Sequence, residues 1–450
     1  MRVNGNIPSL INGVSQQPPS LRLPTQGVEQ INAVSSLLDG LGKRPPAEHV
    51  AKLTSQNYVK PFIHWINRDE TEKYVVLFYP EHIQVVDQFG VSYPVVETVD
   101  GDLDYIDVGS PYRMIQALTI NDTTFVVNQT RETKLTSDVV ATRPMEAIVW
   151  IREGSYSTDY TIKVDGTSYT YTTDVSDATT IQTQHIADQL TTNLSSALGV
   201  DYIVTRFNNT IWIKRVDNAN FNITTADSNG DHNHSIIVGQ ASHFSDLPGD
   251  APNGAVVKIL GNIDDQSDDY WVQFQTRSGV SFGPGTWVEC PAPGVHYKFL
   301  ADTMPHQLVR KQDDENGAVT GTPNAIYFEF GAVEWRDRKA GDGDSIPTPS
   351  FIGNSISSLF LHRGRLGFLA LGNVVLSQAG DLINFWRQTA VTLLDDDPID
   401  VTIANQSAVN LRHAIALNGD LLLFSDHAQF ILKGGDILSP KTVSSSLVTQ

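Results

Sequence analysis

Three places in this chain crowd carboxylates or imidazoles closely enough to do chemistry. Asp264-Asp265 and Asp268-Asp269 stand immediately before Tyr270-Trp271. That is the composition of a glycosidase cleft, with paired carboxylates beside aromatic sugar platforms. Such chemistry needs two carboxyl groups held about 5–10 Å apart across the sugar, and acids in polar text read first as a solvated turn. His232 and His234 alternate, which on a strand turns both imidazoles to one side as a possible metal pair. The neighbouring Asp227-Ser-Asn-Gly-Asp231 is loop composition and lacks the spacing and bidentate Glu of a calcium loop. Asp395-Asp-Asp397 before Pro398 could hold a divalent cation, but hard-cation sites collect ligands from more than one segment. A capped turn at a subunit contact is the better reading. No nucleophile elbow, phosphate-cradling loop, dinucleotide fingerprint or zinc-protease motif is present. The sequence therefore predicts no catalytic residue, no metal and no cofactor.

The elements around these residues read as β-structure. Ser377-Gln-Ala-Gly-Asp-Leu-Ile-Asn-Phe-Trp386, followed by Asp395-Asp-Asp-Pro-Ile-Asp-Val401, lies between two passages of the same make. They are Arg365-Leu-Gly-Phe-Leu-Ala-Leu-Gly-Asn-Val-Val-Leu-Ser377 and Leu417-Asn-Gly-Asp-Leu-Leu-Leu-Phe-Ser-Asp-His-Ala-Gln-Phe-Ile-Leu432. In each, an apolar run meets a tight Gly-Asn or Asn-Gly-Asp turn and a second apolar run follows. Gly and Asn tolerate the positive φ of hairpin turns, so both read as hairpins. Tyr74-Val-Val-Leu-Phe-Tyr79 and His82-Ile-Gln-Val-Val-Asp87 around Pro80-Glu81 make a third. Met114-Ile-Gln-Ala-Leu-Thr-Ile120 and Thr124-Phe-Val-Val-Asn128 make a fourth. Each pair has about the length of half a four-stranded blade. The prediction is a mainly β fold of β-propeller-like hairpin blades, discontinuous in sequence. Trp65, Trp335 and Trp386 sit in apolar text and are expected in the core.

Between the blades the text changes. Ala147-Ile-Val-Trp-Ile151, Asp159-Tyr-Thr-Ile-Lys-Val164 and Thr167-Ser-Tyr-Thr-Tyr171 read as strands. Over residues 180–198, Ile181, Ile186, Leu190, Leu194 and Leu198 recur at helical spacing and stop at Gly199. Two more strands enclose Asn208-Asn209. This predicts an inserted α+β module at 145–300, after the first propeller-like blades at 51–140. A connecting platform segment at 301–348 and further blades at 349–450 follow. Residues 1–50, punctuated by Gln16-Gln-Pro-Pro19 and Arg44-Pro-Pro46, alternate too little to build a core. They predict an extended arm leaning on another domain or subunit, with one short helix over residues 26–38. Residues 443–450 alternate without a stop signal, and a closed propeller needs at least four blades. The expectation is that the protein continues beyond residue 450.

Composition narrows the function classes. With 450 residues, 40% hydrophobic and 18% charged, the chain is long enough for two or three folded domains. A single cysteine, Cys290, excludes a disulfide framework within the chain and suits synthesis in a reducing compartment. No signal-peptide pattern opens it and no apolar run is long enough to span a bilayer, so a soluble protein is expected. The net charge of −20 argues against tight nucleic-acid binding, which needs a basic footprint. Transient passage of DNA along a repelling wall remains compatible with it.

Several phrases, in order and nearly end to end, carry a resemblance. They run from Gly13-Val-Ser-Gln-Gln-Pro18 and Leu41-Gly-Lys-Arg-Pro-Pro46 through Ile66-Asn-Arg-Asp69, Ala251-Pro-Asn-Gly254 and Thr303-Met-Pro-His306. Pro349-Ser-Phe-Ile-Gly353, Asp395-Asp-Asp-Pro-Ile-Asp400 and Ser425-Asp-His-Ala-Gln-Phe430 complete them. Together they resemble the tail tubular protein B, or tail nozzle, family of short-tailed, autographivirus-like bacteriophages. The resemblance implies a structural virion protein made in the host cytoplasm, not an enzyme. It implies a homohexameric ring below the tail adaptor ring, helping to seat the tail fibre protein. Double-stranded DNA would pass through its gated channel during ejection without tight binding, and the host envelope would be met only indirectly. Residues 159–242 match the family loosely. The competing readings are a virion-associated glycan hydrolase acting on capsule and a monomeric propeller scaffold that binds peptides.

Overall fold

The structure is a computed structural model that describes residues 9–53, 60–261, 269–405 and 408–449. Asp264, Asp265 and Asp268 lie outside the described residues. The chain divides into two compact units, Met1–Gln56 with Gln88–Val91, and Asn57–Asp87 with Ser92–Gln450.

In the first unit the helix expected over residues 26–38 does not form. An antiparallel pair, Ala33–Ser36 with Gly40–Lys43, occupies its end. Gly40 takes φ +74°, and the Ser36 hydroxyl accepts the amides of Leu38 and Asp39, closing a tight loop. Leu37 and Leu38 remain exposed, so no buried apolar stripe rewards a helix here.

The second unit is mainly β. Three of its sheets are four-stranded antiparallel meanders in simple chain order. The first is Phe62–Asn67, Lys73–Tyr79, His82–Asp87 and Ser92–Tyr93. The second is Ser358–His362, Arg365–Ala370, Asn373–Leu376 and Ile399–Thr402. The third is Leu411–Leu417, Asp420–Ser425, Gln429–Lys433 and Ser444–Thr449. A five-stranded sheet draws on distant segments: Val95–Glu97, Ile326–Ala332, His306–Gln312, Thr123–Asn128 and Ile115–Ile120, in that spatial order.

Strand alternation decides how these sheets stack, because successive side chains leave opposite faces. Val126, Leu308, Phe328 and Phe330 pack with Val76, Phe78 and Val85 of the 62–93 sheet. Phe125 and Val127, on the other face, join Leu366, Phe368 and Val375 of the 358–402 sheet. Leu369, Val374 and Leu376 of that sheet then meet Leu421, Leu423, Phe430 and Leu432 of the 411–449 sheet. Neighbouring sheets approach one another through the edge strands Phe62–Asn67, Ile115–Ile120, Ser358–His362 and Leu411–Leu417. This row of sheets, buried face to face, is compatible with propeller blades.

Residues 146–290 form the α+β part. One sheet runs Tyr202–Phe207, Thr210–Arg215, Glu146–Ile151, His234–Ile237; a second runs Thr167–Thr172, Asp159–Val164, Ile223–Asp227. The helix Thr183–Leu198 sends Ile186, Leu190 and Leu194 into the core between them. Ile148 and Ile237, facing the other way, pack on the sheet that holds Val256–Ile259, Tyr270–Thr276 and Phe282–Cys290.

Turn chemistry departs from expectation at one hairpin. Ala370 pairs with Asn373, so the turn is Leu371-Gly372, and Asn373 already belongs to the strand. Leu371 takes φ +52°, a left-handed conformation rare for a branched side chain. At the matching hairpin Asn418 (φ +50°) and Gly419 (φ +87°) make the expected turn. Trp65 is also misplaced by the sequence reading: it is 63% exposed, because its strand is an edge and residues 63, 65 and 67 share the uncovered face. Trp335 and Trp386 are buried.

Candidate functional site

Of the four acids before Tyr270, the described one is Asp269, and its carboxylate is engaged. Lys258 Nζ lies 2.5 Å from Oδ2, and the Gly261 amide donates to Oδ1 at 2.7 Å. The hydrogen bond from Lys258, then that from Gly261, holds this carboxyl below the usual carboxylate range. A buried, ionised and doubly satisfied carboxylate is a poor proton donor near neutrality.

The two histidines separate. His232 is exposed, whereas His234 is buried at the start of its strand. His234 Nε2 is 3.3 Å from the Thr161 carbonyl and Nδ1 is 3.5 Å from Asp227 Oδ2. Asp227 is itself the centre of its loop, accepting the amides of Asn229 at 2.8 Å, Asn233 at 2.9 Å and Asp231 at 3.1 Å. Burial works to raise its pKa, but these amide donors outweigh burial and hold it low. The loop beside the histidine pair is thus closed on its own backbone. Among the described residues no three potential ligands cluster for a metal ion.

Asp395-Asp-Asp397 does its work mainly through backbone carbonyls. Arg365, 1% exposed, runs its guanidinium into the turn. Nη1 donates to the carbonyls of Asp397 at 2.7 Å, Ser377 at 2.9 Å and Asp396 at 3.1 Å. Nη2 donates to Asp395 at 2.9 Å and to Leu438 at 3.2 Å. The last bond ties the 358–402 sheet to the loop of the next one. Burial lowers the guanidinium's pKa. The buried Asp397 carboxylate accepts the amides of Leu394 at 2.8 Å and Gln388 at 3.2 Å. Asp396 takes the Gln378 amide and Asp395 pairs with Lys441. A capped turn forms at Asp395–Asp397, around an arginine to which the sequence reading gave no role. Its signal is a lone Arg opening an otherwise apolar strand after His362-Arg-Gly364.

The adjoining run from Ser377 to Trp386 is a core corner. Asn384 bonds both the amide and the carbonyl of Trp386, each at 3.0 Å, and its Nδ2 also reaches Gln378 Oε1 at 2.8 Å. Trp386 then stacks on Phe299 with ring centroids 5.1 Å apart. Asp395–Asp397, part of a phrase that carried the resemblance, is therefore engaged in internal packing.

The chain matches the bacteriophage nozzle protein family over residues 1–450. It is 32% identical over 469 aligned residues to the tail tubular protein gp12 of Escherichia phage T7. That alignment covers 100% of this chain and 55% of the relative, so the chain spans about half the length of the curated protein it matches. By the match along residues 1–450, the chain belongs to the bacteriophage nozzle protein family.

Proposed function

We propose that this chain is a structural subunit of the nozzle of a short phage tail. Copies of it ring a channel through which double-stranded DNA leaves the particle. The observation that carries this is the family match along residues 1–450. In this reading the ring is a homohexamer that hangs below the tail adaptor and helps to seat the tail fibres. Residues 1–50 act as an arm reaching a neighbouring subunit or the adaptor, and residues 145–300 act as a module carried outside the blade-like sheets. A net charge of −20 supports a wall that repels phosphate, so DNA slides without sticking. Engagement of Asp227, Asp269 and Asp397 in internal contacts supports a role without catalysis.

Electron microscopy of tails assembled with a tagged chain tests this reading. A closed ring of copies around a channel is the expected image, and the chain appearing off the tail axis would overturn it. Binding of duplex DNA by the isolated chain should be weak and stay weak as salt is lowered, since phosphate-neutralising contacts create a steep salt slope. Release of reducing ends from capsular polysaccharide would instead favour the hydrolase.

A further inference from the structure

The protein carries 51 acidic residues against 31 basic ones, yet one cavity is lined without a single carboxylate. It has a volume of ≈ 650 Å³ and opens where edge strands of the stacked sheets converge, lined by Phe62, Gln116 and His413 on three of them and by Ser357 just before a fourth. Its cationic lining is Arg113 and Arg412, beside His413; amides, hydroxyls and apolar groups make up the rest.

The cations are presented outward. Arg113 makes no ion pair among the described residues; its guanidinium carbon stands 5.1 Å from the centre of the Tyr112 ring. Lys60 Nζ lies 4.5 Å from the same ring. Arg412 is fixed by Asp426, with Nε 2.9 Å from Oδ1, and is half exposed. At the rim, Leu371 is held at φ +52° and presents its side chain half exposed. Strain kept at a non-glycine position is a recurrent mark of binding sites.

We propose that this cavity docks an acidic peptide segment of a partner protein, one with an aliphatic or aromatic side chain beside its carboxylates. Charge complementarity selects the acid, and Arg guanidinium forks suit carboxylates. Volume selects the peptide over a free ion. A site of several hundred Å³ is of ligand size, whereas a water-sized group fills about 30 Å³ and would leave Phe62, Met114 and Leu371 uncovered. The proposal rests on the cavity lining and stands apart from the tail-assembly reading.

Fluorescence anisotropy on the full 450-residue chain tests it, with a labelled peptide Glu-Leu-Asp-Phe-Glu and its amide counterpart Gln-Leu-Asn-Phe-Gln. The acidic peptide should bind at least about tenfold more tightly than the amide, and more weakly at higher salt. Arg113→Gln should weaken it about tenfold while leaving the melting temperature unchanged, because Arg113 is exposed. Leu371→Asp, which sets a carboxylate at the rim in a conformation Asp tolerates better than Leu, should do the same. Absence of binding, equal binding of the two peptides, or affinity unchanged in both variants would overturn the proposal. So would full displacement by inorganic phosphate at matched charge, which would assign the cavity to free anions.

Discussion

The 358–402 and 411–449 sheets share one topology, yet they live in different surroundings. In the former, Arg365–Ala370 is buried at every position, because even-numbered residues face one core and Leu369 faces another. In the latter, Leu421, Leu423, Phe430 and Leu432 fill one core while Ile415, Leu417, Leu447 and Val448 stay exposed. A sheet inside the row is held from both faces, and a sheet at its end from one. Local sequence makes the blade; its neighbours determine how much each residue contributes.

Phe368→Ala should break the comparison hardest. Its ring stacks on Phe385 at 4.5 Å and meets Phe351 and Trp335 edge-on. Emptying that site should cost up to about 5 kcal/mol by urea denaturation; a loss near 1 kcal/mol would mean that the core refills. Arg365→Met should follow at about 3 kcal/mol, since it strands the carbonyls of Ser377, Asp395, Asp396, Asp397 and Leu438. If Met is tolerated, the carbonyl cage does not join the two sheets.

The far end of the row sharpens the comparison through pH. His64, on the first strand of the 62–93 sheet, bonds Thr119 Oγ1 at 2.7 Å, and burial pushes its pKa down to about 4. The folded state thus keeps this imidazole neutral where the unfolded chain would protonate it. Its contribution is complete above the unfolded value of roughly 6.5. It is lost progressively as pH falls towards about 4. Stability measured across that window should therefore fall on acidification, and His64→Asn should flatten that part of the slope. An unaltered slope would assign it to other groups. The smallest effect is expected on the open face of the last sheet: Leu447→Ser should change stability by no more than about 0.5 kcal/mol. A larger loss would mean that this face is covered after all.

Much of the fold was legible because its signals are local. The hairpins at 73–87, 115–128, 159–172 and 202–215 and the helix at 183–198 follow from apolar alternation, Gly and Asn at turns, and 3.6-residue spacing. The failures share a cause. Residues 33–43 became a hairpin and Trp65 stayed at the surface because burial, which periodicity only presupposes, was missing there. His232 and His234 alternate as a ligand pair would, but only His234 enters the core.

By itself the sequence determined the mainly β class, most of the hairpins, the long helix and the nozzle family, because these depend on residue types at short spacing or on phrases in order. Only the tertiary structure decided that His306–Gln312 and Ile326–Ala332 join Thr123–Asn128 in one sheet, that Arg365 is caged by distant carbonyls, and that Arg113 and Arg412, far apart in the chain, line one cavity. Such pairings join residues far apart in the chain, and the burial that stabilises them exists only once the whole row has packed.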